Sequence, residues 1–117
     1  MRAMDNPYFN ILGHATGRLL LKRPGYEVDW TRLIRHAAKA RVTFEINASP
    51  DRLDLPVEAA REVHAAGIKI AINTDAHHIR DFDYLYCGVD VARRAGLAAV
   101  DILNCYSWKK LAAAIKR

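Results

Sequence analysis

The sequence has little of what marks secreted and membrane proteins. It contains only two cysteines, Cys87 and Cys105, and no Cys-x-x-Cys pair, so we expect free thiols and a reducing cytoplasm. The N-terminus lacks the apolar core of a signal peptide. No apolar run approaches the roughly 18 residues that a membrane span requires. We therefore predict a cytoplasmic protein with no membrane partner.

The length of 117 residues allows one small domain or a part of a larger one. Hydrophobic residues make up 51% and charged residues 26%, which excludes a disordered or collagen-like chain. There are 18 lysines and arginines against 13 acidic residues, giving a net charge of +5. This excess favours a polyanionic partner such as nucleic acid or a phosphorylated metabolite. The alternative is that the charges only solvate helix faces.

The apolar pattern follows the order strand, loop, helix three times and ends in helices. The predicted strands, each an apolar run expected to be buried, cover residues 8–12, 42–46 and 68–72. Helices are predicted after a cap at Asp29, from about Pro56 to Gly67, from Ile79 onward, and after a cap at Ser107. This alternation predicts an α/β fold with parallel strands. Three strands are too few for a complete (β/α) barrel of roughly 200 or more residues, so we expect a partial barrel or a very small sheet.

Polar loops follow each of the three predicted strands. They cover residues 13–18, 47–54 and 73–78. In α/β folds, functional groups collect in the loops beyond the carboxyl ends of the strands, on one rim of the sheet. The three loops therefore mark the expected functional site.

The third of these loops carries Asp75 and His77, separated by one residue. In an extended chain this spacing directs both side chains the same way. A carboxylate beside an imidazole suits Zn²⁺, Mn²⁺ or Fe²⁺ better than Ca²⁺. His14, at the end of the first strand, is the third predicted metal ligand. The alternatives are that Asp75 caps the next helix, that His77 is a surface residue, and that His14 is structural.

Arginines near the same rim predict phosphate recognition. Arg18 lies in the first loop and Arg52 in the second, and a guanidinium can hold a phosphate with two parallel hydrogen bonds. Together with Asn47 they are the candidate substrate-binding residues. The alternative is that the arginines pair with nearby acids to hold long loops in shape.

Several of these motifs occur in a familiar order. The segments are 6–21, with Gly13-His14-Ala15-Thr16-Gly17-Arg18 at its centre, and 25–29, 45–48, 52–55 and 72–77. Together they resemble the PHP (polymerase and histidinol phosphatase) domain of bacterial family X DNA polymerases. The last dozen residues resemble the C-terminal helix of those polymerases. The resemblance extends over about residues 5–105.

The resemblance implies the C-terminal half of a distorted (β/α)7 barrel, with a metal cluster on its carboxyl rim. It implies phosphoester hydrolysis with Mn²⁺, Zn²⁺ or Fe²⁺, as a 3′-5′ exonuclease or 3′-end processing activity on DNA in repair. In this match His14 is the metal-binding histidine of the Gly-His loop. Asp75 and His77 are the final ligand pair. Arg18 and Arg52 occupy basic positions near that rim.

Two departures from the family pattern affect these expectations. Ala15 stands where the family usually has proline, and the family's His-x-His motif, further histidine ligands and bridging glutamate are absent. We therefore treat residues 1–117 as one partial domain, assign no catalytic residue, and leave open whether the chain is an enzyme by itself. Unpaired strand edges predict a homo-oligomer or dependence on an N-terminal half.

Two other functions are alternatives to the phosphoesterase. The absent ligands favour a non-catalytic remnant that binds metal or nucleic acid. A metabolite phosphatase of the histidinol-phosphate type is the other alternative, although the polymerase-like segment 13–21 argues against it.

Overall fold

A computed structural model of the protein describes residues 1–115. The predicted partial domain of residues 1–117 thus includes two residues outside the described part. The strands are β1 (Ile11–Leu12), β2 (Thr43–Asn47) and β3 (Ile70–Asn73). The α-helices are α1 (Trp30–Ala40), α2 (Val57–Ala65), α3 (Leu85–Arg94) and α4 (Trp108–Ala114). Short 3₁₀ helices cover Arg2–Asp5, Ile79–Tyr84, Ala99–Asp101 and Leu103–Cys105.

The three strands form one parallel sheet in the order β1-β2-β3. Leu12 is opposite Phe44, and Ile46 is opposite Ile72. The central strand is buried along its whole length, as expected for a parallel strand covered on both faces. The predicted α/β class with parallel strands is confirmed, and the sheet is compatible with a partial barrel.

The first strand differs most from its prediction. Residues 8–12 were expected to form a buried strand, but only Ile11 and Leu12 pair with β2. Ile11 is 39% exposed and Tyr8 is 83% exposed. The prediction of burial was wrong because β1 has only one strand neighbour in residues 1–115, so its apolar side chains have less to pack against.

The helix boundaries follow the capping residues seen in the sequence. The side chain of Asp29 accepts a hydrogen bond from the N–H of Arg32 at 3.0 Å, and α1 begins at Trp30, directly after Asp29. Ser107 caps α4 in the same way through the N–H of Lys110. Gly67 has a φ of +76° just beyond α2, a conformation that glycine adopts without strain. These three predictions are confirmed.

The outer edge of β3 is covered by a segment near the C-terminus. Ile102 forms a parallel bridge with Ile70. The side-chain amide of Asn104 accepts the N–H of Ile72 at 2.8 Å and donates to its carbonyl at 2.9 Å. One amide therefore satisfies both backbone groups, as a neighbouring strand would. Of the two edges expected to be open, only that of β1 has no strand partner within residues 1–115.

Two further observations concern the cysteines and the length of the helices. Cys87 and Cys105 are both free, as predicted. None of the helices in residues 1–115 combines the length and the apolar character needed to cross a membrane.

Candidate functional site

The loops after the three strands meet at the carboxyl end of the sheet. The N–H of Leu20 donates to the carbonyl of Asp51 at 2.8 Å, and the N–H of Ala48 donates to the carbonyl of Asn73 at 2.7 Å. The first loop thus contacts the second, and the second contacts the third. The shared rim predicted from the parallel topology is present.

A buried carboxylate, Asp54, holds the first two loops together. Its side chain is fully buried, and one oxygen accepts the N–H groups of Thr16 at 3.1 Å and Gly17 at 3.0 Å. Its backbone also pairs with Asn47 in a short antiparallel bridge. Because its acceptors are occupied by the main chain, Asp54 organises the rim from beneath.

A second buried carboxylate, Glu45, lies on the central strand. Its side chain accepts the N–H of His14 at 2.9 Å and the side-chain amide of Asn73 at 2.8 Å. Glu45 therefore joins the residues that end β1 and β3. The sequence signal that could have identified it is an acid inside a run otherwise typical of a buried strand.

The third loop places Asp75 and His77 differently from the prediction. Asp75 has a φ of +55°, so the chain is not extended there and the expected parallel alignment of the two side chains does not apply. Instead, His77 Nδ1 lies 2.6 Å from the carbonyl oxygen of Asp75. A carbonyl can only accept, so Nδ1 carries the hydrogen. In the neutral ring, Nε2 then keeps its lone pair for a metal ion.

Asp81 fixes the backbone that carries this histidine. One carboxylate oxygen accepts the N–H groups of His77 and His78, each at 2.9 Å. These two hydrogen bonds, helped by the charge of His78, lower the pKa of Asp81 from its usual value. The following 3₁₀ helix thus has His78 as its N-cap residue and Asp81, its third residue, as the partner in a capping box, and the alternative that Asp75 caps it is wrong. Sequence reasoning missed Asp81.

Asp75, His77 and Asp81 line one cleft together with Arg52. The Nε of Arg52 lies 3.7 Å from a carboxylate oxygen of Asp75. The cleft has a volume of about 330 Å³. Its walls are Leu19, Ser49, Pro50, Asp51, Arg52, Asp75, His77, Asp81 and Tyr84. Acidic, imidazole and guanidinium groups therefore share one solvent-accessible space.

His14 lies on the rim but does not line this cleft. It is exposed, its φ is +33°, and its N–H is held by Glu45. Among residues 1–115, no three histidine, cysteine or acidic side chains are arranged to hold a metal ion. Asp75 and His77 fit a metal by their chemistry, and all three predicted ligands stay predictions.

Two of the three predicted substrate residues make structural contacts. Arg18 donates from Nε to the carbonyl of Arg52 at 2.8 Å, and from Nη2 to the carbonyl of Leu53. Asn47 is 1% exposed, and its side-chain oxygen accepts the N–H of Ser49 at 3.1 Å. Arg52 alone of the three lines the cleft. The substrate roles of Arg18, Asn47 and Arg52 all stay predictions.

Comparison with known proteins gives one informative match. No family model matches the chain. The chain is 40% identical over 115 residues to the DNA polymerase/3′-5′ exonuclease PolX of Bacillus subtilis (strain 168). The match covers 98% of this chain and 20% of that protein, so the chain spans about a fifth of the length of this curated relative. The resemblance to bacterial family X DNA polymerases, predicted from the sequence, is confirmed.

Proposed function

We propose that this chain supplies part of a metal-dependent phosphoesterase site that acts on DNA in repair, as a 3′-5′ exonuclease or 3′-end processing activity. The observation that carries the proposal is the cleft in which Arg52, Asp75 and His77 meet. The name of the relative, a polymerase and 3′-5′ exonuclease, supports DNA as the substrate class in preference to a metabolite such as histidinol phosphate.

In this proposal the metal ligands are the carboxylate of Asp75, the Nε2 of His77 and the imidazole of His14. A bound Mn²⁺, Zn²⁺ or Fe²⁺ would polarise a phosphoryl oxygen and make a bound water more acidic. The hydrogen bond from His77 Nδ1 to the Asp75 carbonyl orients the ring, as outer hydrogen bonds do for metal-bound histidines. Asp81 is a positioning residue, because it holds the backbone of His77.

Arg52 is the proposed phosphate-binding group. Its side chain is partly exposed, and its contact with Asp75 is longer than a hydrogen bond at 3.7 Å. A metal ion on Asp75 would neutralise that carboxylate and leave the guanidinium available to a phosphate. Arg18 and Asn47 are proposed to act on the substrate only indirectly, through the loop that carries Arg52.

The proposal includes further ligands from outside residues 1–115. A catalytic zinc site commonly has about three protein ligands and a water molecule, whereas the cleft contains two of the three predicted ligands. We propose that an N-terminal half of a PHP domain, like that of a family X polymerase, or a second copy of the chain, completes the site. The chain alone would then bind metal weakly and hydrolyse DNA slowly.

The test is Mn²⁺-dependent hydrolysis of a 3′-end-labelled oligonucleotide, with metal binding followed by calorimetry. His77→Ala should reduce both metal affinity and hydrolysis by at least about 10-fold. The matched control is His64→Ala, which removes a partly exposed histidine of α2. The control should leave both readouts unchanged. Equal metal binding by the wild type and His77→Ala would overturn the proposal.

A second candidate function is a non-catalytic module that binds metal or nucleic acid. It is favoured by the absence, within residues 1–115, of three side chains arranged around one metal position. Adding the N-terminal half of the PHP domain of a family X polymerase distinguishes the two. Hydrolysis that appears on addition and depends on His77 supports the phosphoesterase, and metal binding that never leads to hydrolysis supports the module.

A further inference from the structure

The outer face of α1 carries a row of positive charge. Arg32, Arg35 and Lys39 are spaced i, i+3 and i+7, and all three are exposed. At about 100° per residue they fall on one stripe of the helix. With a rise of about 1.5 Å per residue, the stripe extends over about 10 Å.

The N-terminal 3₁₀ helix adds a fourth cation beside this stripe. Met4 is 2% exposed and anchors the 3₁₀ helix to the core. Asp5 accepts a hydrogen bond from His36 of α1, with 2.7 Å between Oδ1 and Nε2. These contacts set Arg2 next to α1. The resulting groove, of about 440 Å³, is lined by Met1, Arg2, Asp5, Arg32, Arg35, His36 and Lys39.

Positive charge exceeds negative charge in this groove, which is lined by four lysine and arginine side chains and one acid. Asp5 is the groove's one acid, and it is paired with His36. Within residues 1–115, no carboxylate lies within ion-pair distance of Arg2, Arg32, Arg35 or Lys39. The helix α1 itself contains no acidic residue. A face that serves only solvation usually mixes charges of both signs, so this composition points to an anionic ligand.

We infer that the basic face, defined as Arg2, Arg32, Arg35 and Lys39, binds the sugar-phosphate backbone of DNA. The inference rests on the proposed function in taking DNA as the polyanion, but the surface shares no lining residue with the cleft of Arg52, Asp75 and His77. The groove has no aromatic side chain other than His36 on which a base could stack. Binding is therefore independent of sequence and sensitive to salt.

The test is the binding of a fluorescein-labelled DNA duplex to the 117-residue chain, measured by anisotropy at increasing salt. The variant Arg32→Gln/Arg35→Gln/Lys39→Gln removes three charges from the basic face, and glutamine keeps a similar helix propensity. Each phosphate contact contributes a slope of about −0.9 to log K against log salt. The slope should therefore become shallower by roughly 2 to 3 units. Affinity at low salt should fall by at least 10-fold.

A matched control distinguishes the effect of the basic face from the effect of the chain's total net charge. Arg93→Gln/Arg94→Gln/Lys109→Gln also removes three charges from exposed positions, and none of the three residues lines the groove. Its affinity should stay within about 2-fold of the wild type. Arg32→Lys/Arg35→Lys keeps the charge and should therefore keep the salt slope of the wild type. Equal losses in both triple variants, or no loss in the first, would overturn the inference.

The outcome is distinguishable from that of the proposed function. His77→Ala should keep the salt slope of the wild type, because it changes the cleft and not the basic face. A chain that binds DNA through α1 but never hydrolyses it contradicts the phosphoesterase alone. A chain that hydrolyses DNA with an unchanged slope in the first variant contradicts the basic face alone.

Discussion

Three acids of the rim, Glu45, Asp54 and Asp75, form two layers with opposite properties. In the lower layer, Glu45 and Asp54 are buried, and their oxygens accept hydrogen bonds from backbone N–H groups and an amide. In the upper layer, Asp75 is exposed to solvent and faces the guanidinium of Arg52. Burial and hydrogen-bond saturation therefore separate the acids that hold the rim from the acid that remains available to a ligand.

The lower layer also holds two of the three rim residues that have an unusual backbone conformation. His14, Leu53 and Asp75 have φ values of +33°, +42° and +55°, a region that non-glycine residues rarely occupy. Each such residue costs about 1 kcal/mol or more. Hydrogen bonds to Glu45 and Asp54 hold the loops that carry the first two. The lower layer thus stabilises the loops of His14 and Leu53, whereas the carbonyl of Asp75 is held within its own loop by His77.

Removal of the lower acid should have the largest effect on stability. Asp54→Ala leaves the buried N–H of Thr16 without an acceptor and leaves the N–H of Gly17 with the carbonyl of His14 as its remaining partner. An unpaired buried N–H costs about 1–3 kcal/mol, so with the second lost hydrogen bond we expect a loss of about 2–4 kcal/mol in the free energy of unfolding, measured by urea denaturation. The exposed neighbour Asp51→Ala is the control. A change below about 1 kcal/mol for Asp54→Ala would contradict the two-layer description.

Glu45→Gln should have a smaller effect. The amide keeps one oxygen that can accept the N–H of His14, but its NH₂ group faces the NH₂ group of Asn73. One hydrogen bond is exchanged for a donor–donor contact, so we expect a loss of about 1–2 kcal/mol, measured in the same urea titration. A neutral result would show that Asn73 turns its amide to accommodate the change. Glu45→Ala can form neither hydrogen bond, so a loss below about 1 kcal/mol in that variant would contradict the role of Glu45 in joining β1 to β3.

A fourth acid, Asp101, extends the comparison to the opposite end of β3. The ammonium of Lys69, 2.8 Å away, and the N–H of Ala98 lower the pKa of Asp101, and the same hydrogen bond raises the pKa of Lys69. The stability due to Asp101 is therefore present above about pH 4 and is lost as the pH falls through its lowered folded-state pKa. The stability due to Lys69 is present below about pH 10 and is lost as the pH rises through its raised folded-state pKa.

Asp101→Asn should flatten both limbs of this pH dependence, which is measured as the free energy of unfolding between acid and alkaline pH. The amplitude should stay below about 1 kcal/mol, because Lys69 is more than a third exposed and solvent screens the pair. An unchanged acid limb in Asp101→Asn would show that another carboxylate causes it. Lys69→Gln provides the complementary check on the alkaline limb.

Substitution of Asp75, in the upper layer, should have the smallest effect on the free energy of unfolding and a large effect on metal binding. Asp75→Asn should change the free energy of unfolding by less than about 0.5 kcal/mol, as exposed substitutions usually do. The same variant should reduce Mn²⁺ affinity by at least about 10-fold in calorimetry, because it removes a carboxylate donor. A destabilisation as large as that of Asp54→Ala would place Asp75 in the structural layer instead.

The sequence predicted the parts of the fold that depend on local patterns. The parallel strands follow from the alternation of apolar runs and helices, and the caps at Asp29 and Ser107 follow from side chains that bind N–H groups three residues away. The hydrogen bonds of Asp54 to Thr16 join residues 38 positions apart. A local pattern contains no information about such a pair. The lower layer was missed for this reason.

The sequence predicted where the residues of the candidate site lie in the fold, but it predicted their geometry only in part. Topology was enough to place Arg52, Asp75 and His77 near one rim, because parallel strands end on the same side. The left-handed backbone of Asp75 could not be foreseen, since non-glycine residues rarely adopt it. It depends on the contacts of the completed loop, including those of Asp81 with the two residues that follow Ala76.

The amide of Asn104 has a consequence for how copies of this chain can associate. By occupying both backbone groups of Ile72, it closes one side of the sheet with a side chain that cannot pass the pairing on to another strand. A filament built by pairing of sheet edges needs two free edges on each copy, one for the copy before it and one for the copy after it. With β1 as the accessible edge, addition of a single strand or a single copy completes the sheet, and growth stops there.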